Sequence, residues 1–174
     1  MIYKIVFSDI DGTLLNKDRE LSALTKRVFR ELQKDVPVVL ISSRMPDAMR
    51  HLQHKLHIGH QPLICYNGAL ILVDGKTISS TEIPLNIVQQ LHEFNKEFNC
   101  HLGLYNNDDW FVPEMYKWAT REENNTKVTP VVKPTEEVLT AVEKSGNAAH
   151  QIMAMGVEEK IDKIEKLLLA TFHS

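Results

Sequence analysis

The sequence predicts an α/β protein, with a doubly wound parallel (Rossmann-like) sheet in its first part and an α+β layer in its second. Three observations carry this. Apolar runs of strand length at 2–8, 36–41 and 62–66 alternate with two stretches of helical periodicity. That is the strand–helix–strand–helix–strand order of a parallel sheet. The texture changes near Glu82, after which strands and helices mix without that alternation. Finally, the first strand runs straight into Asp9-Ile10-Asp11-Gly12, at the carboxyl end where open α/β sheets bind ligands.

Taken in order, Ile2 to Ser8 is rich in β-branched residues and reads as a buried strand. Leu24, Val28, Phe29 and Leu32 recur at helical spacing, with Ser22 placed as an N-cap. A second strand at 36–41 precedes a helix over 46–57 opened by Pro46, a favourable first-turn residue. Pro62 to Tyr66 is a third strand. The segment 69–81 alternates around Asp74-Gly75, a strong hairpin signal. Beyond Pro84 the pattern predicts a helix carrying Ile87, Val88, Leu91, Phe94 and Phe98, then a strand at 101–105, a turn at Asn106–Asp109 and a strand at 110–112. A helix near 114–124, a strand near 128–132, a helix at 135–144, a strand at 149–155 and a last helix at 157–171 follow. The organisation expected is a core over 1–81 and an α+β domain over 82–174.

The chain has 174 residues, 43% hydrophobic and 25% charged, as in an ordinary globular protein. Its formal net charge of −3 gives no basic footprint, which argues against a nucleic-acid partner. Cys65 and Cys100 make no disulfide framework, and Cys65 falls in an apolar strand as a reduced core residue. No apolar run reaches membrane-spanning length and the start reads as a strand, so a cytoplasmic location and no membrane partner are expected.

Asp9 and Asp11 stand two residues apart, and a period of two would turn both carboxylates to one side were the strand to continue. Gly12 lets the backbone turn sharply or approach a ligand closely. An acidic turn closing a strand is the plain alternative. A calcium loop fits poorly, because no acidic ligand series and no closing Glu follow Gly12. His51, His54, His57 and His60 recur every third residue, so on a helix they fan out instead of converging on a metal.

Asp9-Ile10-Asp11-Gly12-Thr13-Leu14, Val38-Val39-Leu40-Ile41-Ser42-Ser43-Arg44 and Ile64-Cys65-Tyr66-Asn67-Gly68-Ala69 follow one another in order. This set closely resembles the haloacid dehalogenase (HAD) superfamily, and within it the Cof-type phosphatases. Ser43 stands where that family usually has glycine. The resemblance implies an aspartyl-phosphate mechanism, with Asp9 as nucleophile and Asp11 as acid on the leaving group and then base on water. It implies Mg2+ held by the Asp9 carboxylate and the Asp11 carbonyl oxygen. Ser42 would bind a phosphate oxygen with its hydroxyl, aided by N–H groups from Ile10 to Gly12. The alternative for Ser42 is a helix cap before Pro46. Arg44 and Asn67 either line the phosphate pocket or tie down a loop. The substrate implied is a small phosphorylated metabolite, and residues 82–174 correspond to the family's inserted cap.

The family pattern also calls for a later lysine and a Gly-Asp acidic motif, and neither is present. Lys160, Lys163 and Lys166 fall on the polar face of an amphipathic helix. The expectation is therefore a partial HAD core, from a truncated or frame-shifted phosphatase or a fragment, with weak or no activity of its own. Its first strand would be a sheet edge open to self-association. Two neighbouring carboxylates short of cations would hold magnesium poorly, and burial would raise a carboxylate pKa. The alternatives are a non-catalytic phosphate-binding remnant or a strand-edge interaction module.

Overall fold

The computed structural model describes residues 3–146 and 149–172, and the chain divides between Thr81 and Glu82 into two compact units. Ile2, at the head of the first apolar run, and His173 and Ser174 lie outside the described residues.

The first unit is a five-stranded sheet in the order β1-β2-β3-β4-β5. Its elements are β1 (Val6–Ser8), α1 (Ala23–Leu32), β2 (Val38–Ile41), α2 (Asp47–Leu56), β3 (Leu63–Cys65), β4 (Leu70–Val73) and β5 (Lys76–Ser80). β1, β2 and β3 are parallel, and β4 and β5 continue the sheet antiparallel. The interior strand β2 is buried at Val38, Val39 and Leu40, which is why this stretch reads as an unbroken apolar run. Fully burying such a side chain contributes about 1.5–3 kcal/mol. Ser22 caps α1, its hydroxyl accepting from Thr25 N at 3.0 Å, a contact of roughly 1 kcal/mol. Asp74 (φ 50°) and Gly75 (φ 71°) both take the positive φ that a tight two-residue hairpin needs.

Several local expectations change. Pro46 precedes α2 instead of opening it, and α2 ends at Leu56 with His57 in the left-handed region. Only His51 and His54 therefore lie on that helix, with His57 and His60 beyond it. The apolar stripe of α1 is only partly covered: Phe29 is buried, but Leu24 and Val28 are exposed. The expectation of a buried strand over 2–8 also fails: β1 spans only Val6–Ser8 and lies at the sheet edge, with Phe7 53% exposed and Tyr3 and Ile5 before it 66% and 43% exposed.

The second unit is a four-stranded sheet in the order β8-β7-β6-β9. It is built from α3 (Leu85–Phe98), β6 (His101–Asn106), β7 (Asp109–Val112), α4 (Lys117–Thr126), β8 (Val131–Val132), α5 (Thr135–Ser145), β9 (Gln151–Met155) and α6 (Glu158–Phe172). β6 pairs antiparallel with β7 and β9, and β7 pairs parallel with β8. Val88, Leu104, Val138, Leu139 and Ala149 form its core, joining α3 and α5 to the sheet. Tyr105 stacks on Trp110 with ring centroids 5.5 Å apart. Gly103 makes room for them, since a Cβ there would meet Trp110 Nε1 and Tyr105 Cε2 at 3.1 Å. The helix expected near 114–124 starts at Lys117, because Tyr116 is still extended. The strand expected near 128–132 shrinks to Val131–Val132. Pro130 lacks the N–H that the ladder needs. Among the described residues no helix is long and apolar enough to cross a membrane.

Candidate active site

The turn after β1 winds around one carbonyl. Ile10, fully buried, accepts from Thr13, Leu14 and Leu15 N at 3.4, 2.9 and 3.2 Å. Gly12 has φ +75°, and a Cβ there would meet nothing within 4 Å. Backbone conformation, not space, is thus what asks for glycine.

The two acidic residues of the turn are held differently. Asp9 is exposed, and its carboxylate takes no hydrogen bond from the described residues. Asp11 is gripped by two arginines. Arg44 Nε donates to Oδ2 at 2.8 Å and Arg44 Nη2 to Oδ1 at 2.9 Å. Arg19 Nη1 also donates to Oδ1, at 2.9 Å. The Arg44 hydrogen bonds hold the Asp11 carboxyl below the usual carboxylate range. Partial burial opposes them, and the positive charges of Arg44 and Arg19 add to the lowering. The expectation of a raised carboxylate pKa is overturned for Asp11: the cations are present, supplied by the loops instead of by a distant lysine.

The loops after β2 and β3 are tied to the same cluster. Ser42 is buried, and its Oγ accepts from Arg44 N at 3.2 Å. This closes a local hydroxyl turn; α2 itself has no side-chain cap. Ser42 N donates to Ile64 O at 3.0 Å, Asn67 N to Ser42 O at 2.9 Å and Tyr66 N to Arg44 O at 3.2 Å. Arg44, also buried, completes its fork with Nη1 on Ala48 O at 3.4 Å. Tyr66, Asn67 and Gly68 all have positive φ, at 52°, 55° and 98°. For a bulky residue such as Tyr66 that conformation is a genuine outlier, and such strain collects at functional sites.

Ser42, Arg44, Asp11 and the backbone of Asn67 therefore form one hydrogen-bonded network, with Ile10 and Gly12 in the adjoining turn. The Asn67 side chain is exposed. The Asp9 carboxylate is not bonded into the network. Arg19 is a member that sequence reading missed. Its signal was Asn16, whose Oδ1 accepts from Asp18 N and Glu20 N at 2.9 Å and folds the loop 16–20 back on itself.

The donors present fit magnesium only in part. Among the described residues no group of three or more His, Cys, Asp or Glu is placed to hold a metal. The Asp11 side chain is engaged by arginines, which leaves the Asp9 carboxylate and the Asp11 carbonyl oxygen. Such a sparse oxygen set suits a loosely held ion that keeps most of its water.

Strand ends carrying an acidic turn, a buried serine and an arginine-clamped carboxylate define a class that comparison makes specific. The profile of the haloacid dehalogenase-like hydrolases matches residues 6–174, and the chain belongs to that family, in its Cof-type branch. It is 32% identical over 177 residues to a Haemophilus influenzae protein named "Putative phosphatase", covering 99% of this chain and 64% of that one. Over 100 residues it is 28% identical to the 5-amino-6-(5-phospho-D-ribitylamino)uracil phosphatase YitU of Bacillus subtilis, covering 56% of this chain and 37% of the relative. Its fold matches a crystal structure from Thermotoga maritima with a TM-score of 0.82 at 24% identity, over 99% of this chain and 63% of that one. The chain thus spans less than two thirds of the length of these relatives.

Proposed function

We propose that the protein is a cytoplasmic phosphatase of small phosphorylated metabolites, acting through an aspartyl-phosphate on Asp9. The observation that carries this reading is the bonded cluster of Ser42, Arg44 and Asp11 at the strand ends, beside the Asp9–Gly12 turn. The substrate named for the Bacillus subtilis relative, a phosphorylated ribitylaminouracil, supports the class of small phosphate esters.

In this reading the exposed Asp9 carboxylate attacks phosphorus in line and the ester P–O bond breaks. Asp11 takes up a proton from solvent as the negative phosphoryl group enters beside it, gives that proton to the leaving oxygen, then takes one from the water that cleaves the aspartyl-phosphate and frees Asp9. The Ser42 hydroxyl and the N–H groups of Ile10, Asp11 and Gly12 bind phosphoryl oxygens, with Asn67 at the rim. Arg44 orients Asp11. Magnesium, with the Asp9 carboxylate and the Asp11 carbonyl oxygen as its ligands from this chain, would neutralise charge on the transferring group when bound. Residues 1–81 serve as the catalytic core and 82–174 as the substrate-selecting cap.

Because the donor set is sparse, the 174-residue chain by itself is expected to turn over slowly or not at all. The test is release of phosphate from a generic aryl phosphate with and without magnesium, in the wild type and Asp9→Asn. Slow metal-dependent release lost in Asp9→Asn supports the reading. Release that Asp9→Asn leaves unchanged removes it, and rapid turnover abolished by Asp9→Asn keeps the phosphatase but discards the expected weakness.

The exposed Tyr3, Ile5 and Phe7 favour a second reading, in which the β1 edge pairs with another copy of the chain. Sedimentation would distinguish the two: a strict monomer at high concentration leaves only the first.

A further inference from the structure

The two arginines on Asp11 are not equivalent, and the difference assigns them separate tasks. Arg44 is fixed. Its side chain is 5% exposed, and Nε, Nη1 and Nη2 are spent on Asp11 Oδ2, Ala48 O and Asp11 Oδ1. Arg19 is loosely held. Its side chain is 43% exposed, and its guanidinium makes one bond, from Nη1 to Asp11 Oδ1. The remaining donors of that planar fork stand at the mouth of the site with no protein acceptor among the described residues.

The loop that carries Arg19 is, by contrast, well anchored. Leu15 bridges Leu21, which is buried, and Asn16 N donates to Glu20 O at 3.0 Å. Lys55 Nζ pairs with Glu20 Oε2 at 2.9 Å and ties the loop to α2. Arg19 itself is held at φ 59°, a left-handed conformation that a long side chain seldom takes. A rigid, strained loop therefore aims a half-exposed guanidinium at the one carboxylate Arg44 already satisfies. Asp11 Oδ1 takes two donors, and only the Arg19 contact is an exposed pair of the kind that contributes little to stability.

We propose that Arg19 is an exchangeable substrate ligand: it caps Asp11 in the empty site and passes from Asp11 Oδ1 to the phosphoryl oxygens of the incoming ester. The proposal rests on the phosphatase reading and adds to it. Asp11 Oδ1 already accepts from both arginines, so a leaving-group oxygen that approaches it there needs one of them to give way. Arg44 would break two part-buried bonds to Asp11 and give up its anchored place on Ala48 O by leaving, and Arg19 loses one exposed bond. A guanidinium fork matches a phosphoryl group better than it matches a carboxylate oxygen that is already shared, because it can donate two parallel bonds. Exchange brings positive charge to the phosphoryl group in the same movement that opens Asp11, and Arg44 keeps the carboxylate oriented throughout.

The test uses the 174-residue chain labelled in its arginine side chains and backbone amides, titrated with inorganic phosphate at constant ionic strength made up with chloride. The Gly12 and Thr13 amides report whether phosphate enters the site. The expected result is a saturable shift of the Arg19 Nε and Cζ signals in step with those amides, while the Arg44 signals stay in place. Arg19→Gln should weaken phosphate binding roughly three- to tenfold, and Arg19→Lys should restore part of the loss. The wild-type side-chain titration needs no variant, and Arg19→Lys retains a charge should Arg19→Gln disturb the loop. If Gly12 and Thr13 respond while Arg19 does not, or if Arg19→Gln binds phosphate as the wild type does, the exchange is wrong and the phosphatase reading survives. If Gly12 and Thr13 do not respond, the phosphate site itself is wrong and the exchange falls with it.

Discussion

In the first unit the buried Ser42 and Arg44 sit where parallel strands end, and their polar groups are bonded to one another, to Asp11 and to the next loop. In the second unit His101 and Trp110 are buried within the sheet, and His101 Nε2 and Trp110 Nε1 have no partner among the described residues. An unsatisfied buried group costs about 1–3 kcal/mol. The second unit offsets that cost with apolar packing, Trp110 lying 2% exposed and stacked on Tyr105. Polar burial thus has two meanings here. Where it is mutually bonded at strand ends it fixes side-chain geometry for chemistry, and where it is unbonded it is a tolerated burden on stability.

The sharpest way to break this contrast is Trp110→Ala. Removing a fully buried indole should destabilise the second unit by about 3–5 kcal/mol. Amide exchange should then rise across 82–174 while the strands of the first unit keep their protection. A loss of less than about 1 kcal/mol would mean that the relieved Nε1 compensates for the lost packing and that apolar burial of Trp110 does not hold this unit.

Arg44→Ala comes next, with the effect in the other unit. It deletes three hydrogen bonds of a buried side chain, but Asp11 is 38% exposed and water can take over much of its solvation. The expected cost is therefore about 2 kcal/mol instead of the full penalty for splitting a buried pair. Denaturant unfolding followed by amides near 42–44 and 64–67 would measure it. An unchanged midpoint would show that the network does not hold the strand ends.

Acid should weaken the second unit through two buried histidines, against one half-buried, His51, in the first. Burial holds the His101 ring below its ordinary pKa of 6.5, with Glu114 opposing. Burial does the same for His150, with Glu82 opposing, and His150 Nδ1 accepts from Asn107 N at 3.2 Å. As pH falls through 6.5 the unfolded chain takes up these protons before the folded one does. The stability contributed by the neutral rings is complete above about pH 6.5 and is lost as pH falls from there through the lower folded values. Unfolding curves of the second unit at pH 7.5 and 5.5 should differ accordingly, and His101→Leu should flatten the difference. Equal stability at both pH values would rule this out.

Much of the first unit was legible because its signals are local. Ser22 before an apolar helical stripe, the unbroken run Val38–Ile41 and the pair Asp74-Gly75 each name an element by short-range chemistry. The second unit blurred where one residue overrode the pattern: Pro130 shortened a strand and the extended Tyr116 delayed a helix. At the site, residue types and order were readable, but partners were not. Nothing in spacing says that Arg44 would reach back to Asp11, thirty-three positions earlier. Arg19 was invisible for a related reason, since its aim depends on a left-handed backbone that sequence does not announce.

The smallest expected effect tests the one feature that neither kind of polar burial explains, the bare β1 edge. Phe7 lies in the middle of β1, opposite Val39, and is 53% exposed. Tyr3 and Ile5, just ahead of β1, are exposed too, so exposed apolar side chains gather in and before this edge strand. Lysine is the residue with which natural edge strands discourage pairing, because a charge on the edge must be desolvated if another strand docks. Phe7→Lys removes little buried surface, so the stability of the folded monomer should change by no more than about 0.5 kcal/mol. Its effect belongs to association instead: if two copies pair along β1, sedimentation of the wild type should show a concentration-dependent dimer that Phe7→Lys abolishes. A control at Ile78, also exposed (66%) and on the opposite edge strand β5, separates edge-specific pairing from general stickiness. Should Ile78→Lys dissociate the dimer as well as Phe7→Lys does, the β1 edge has no special part in it.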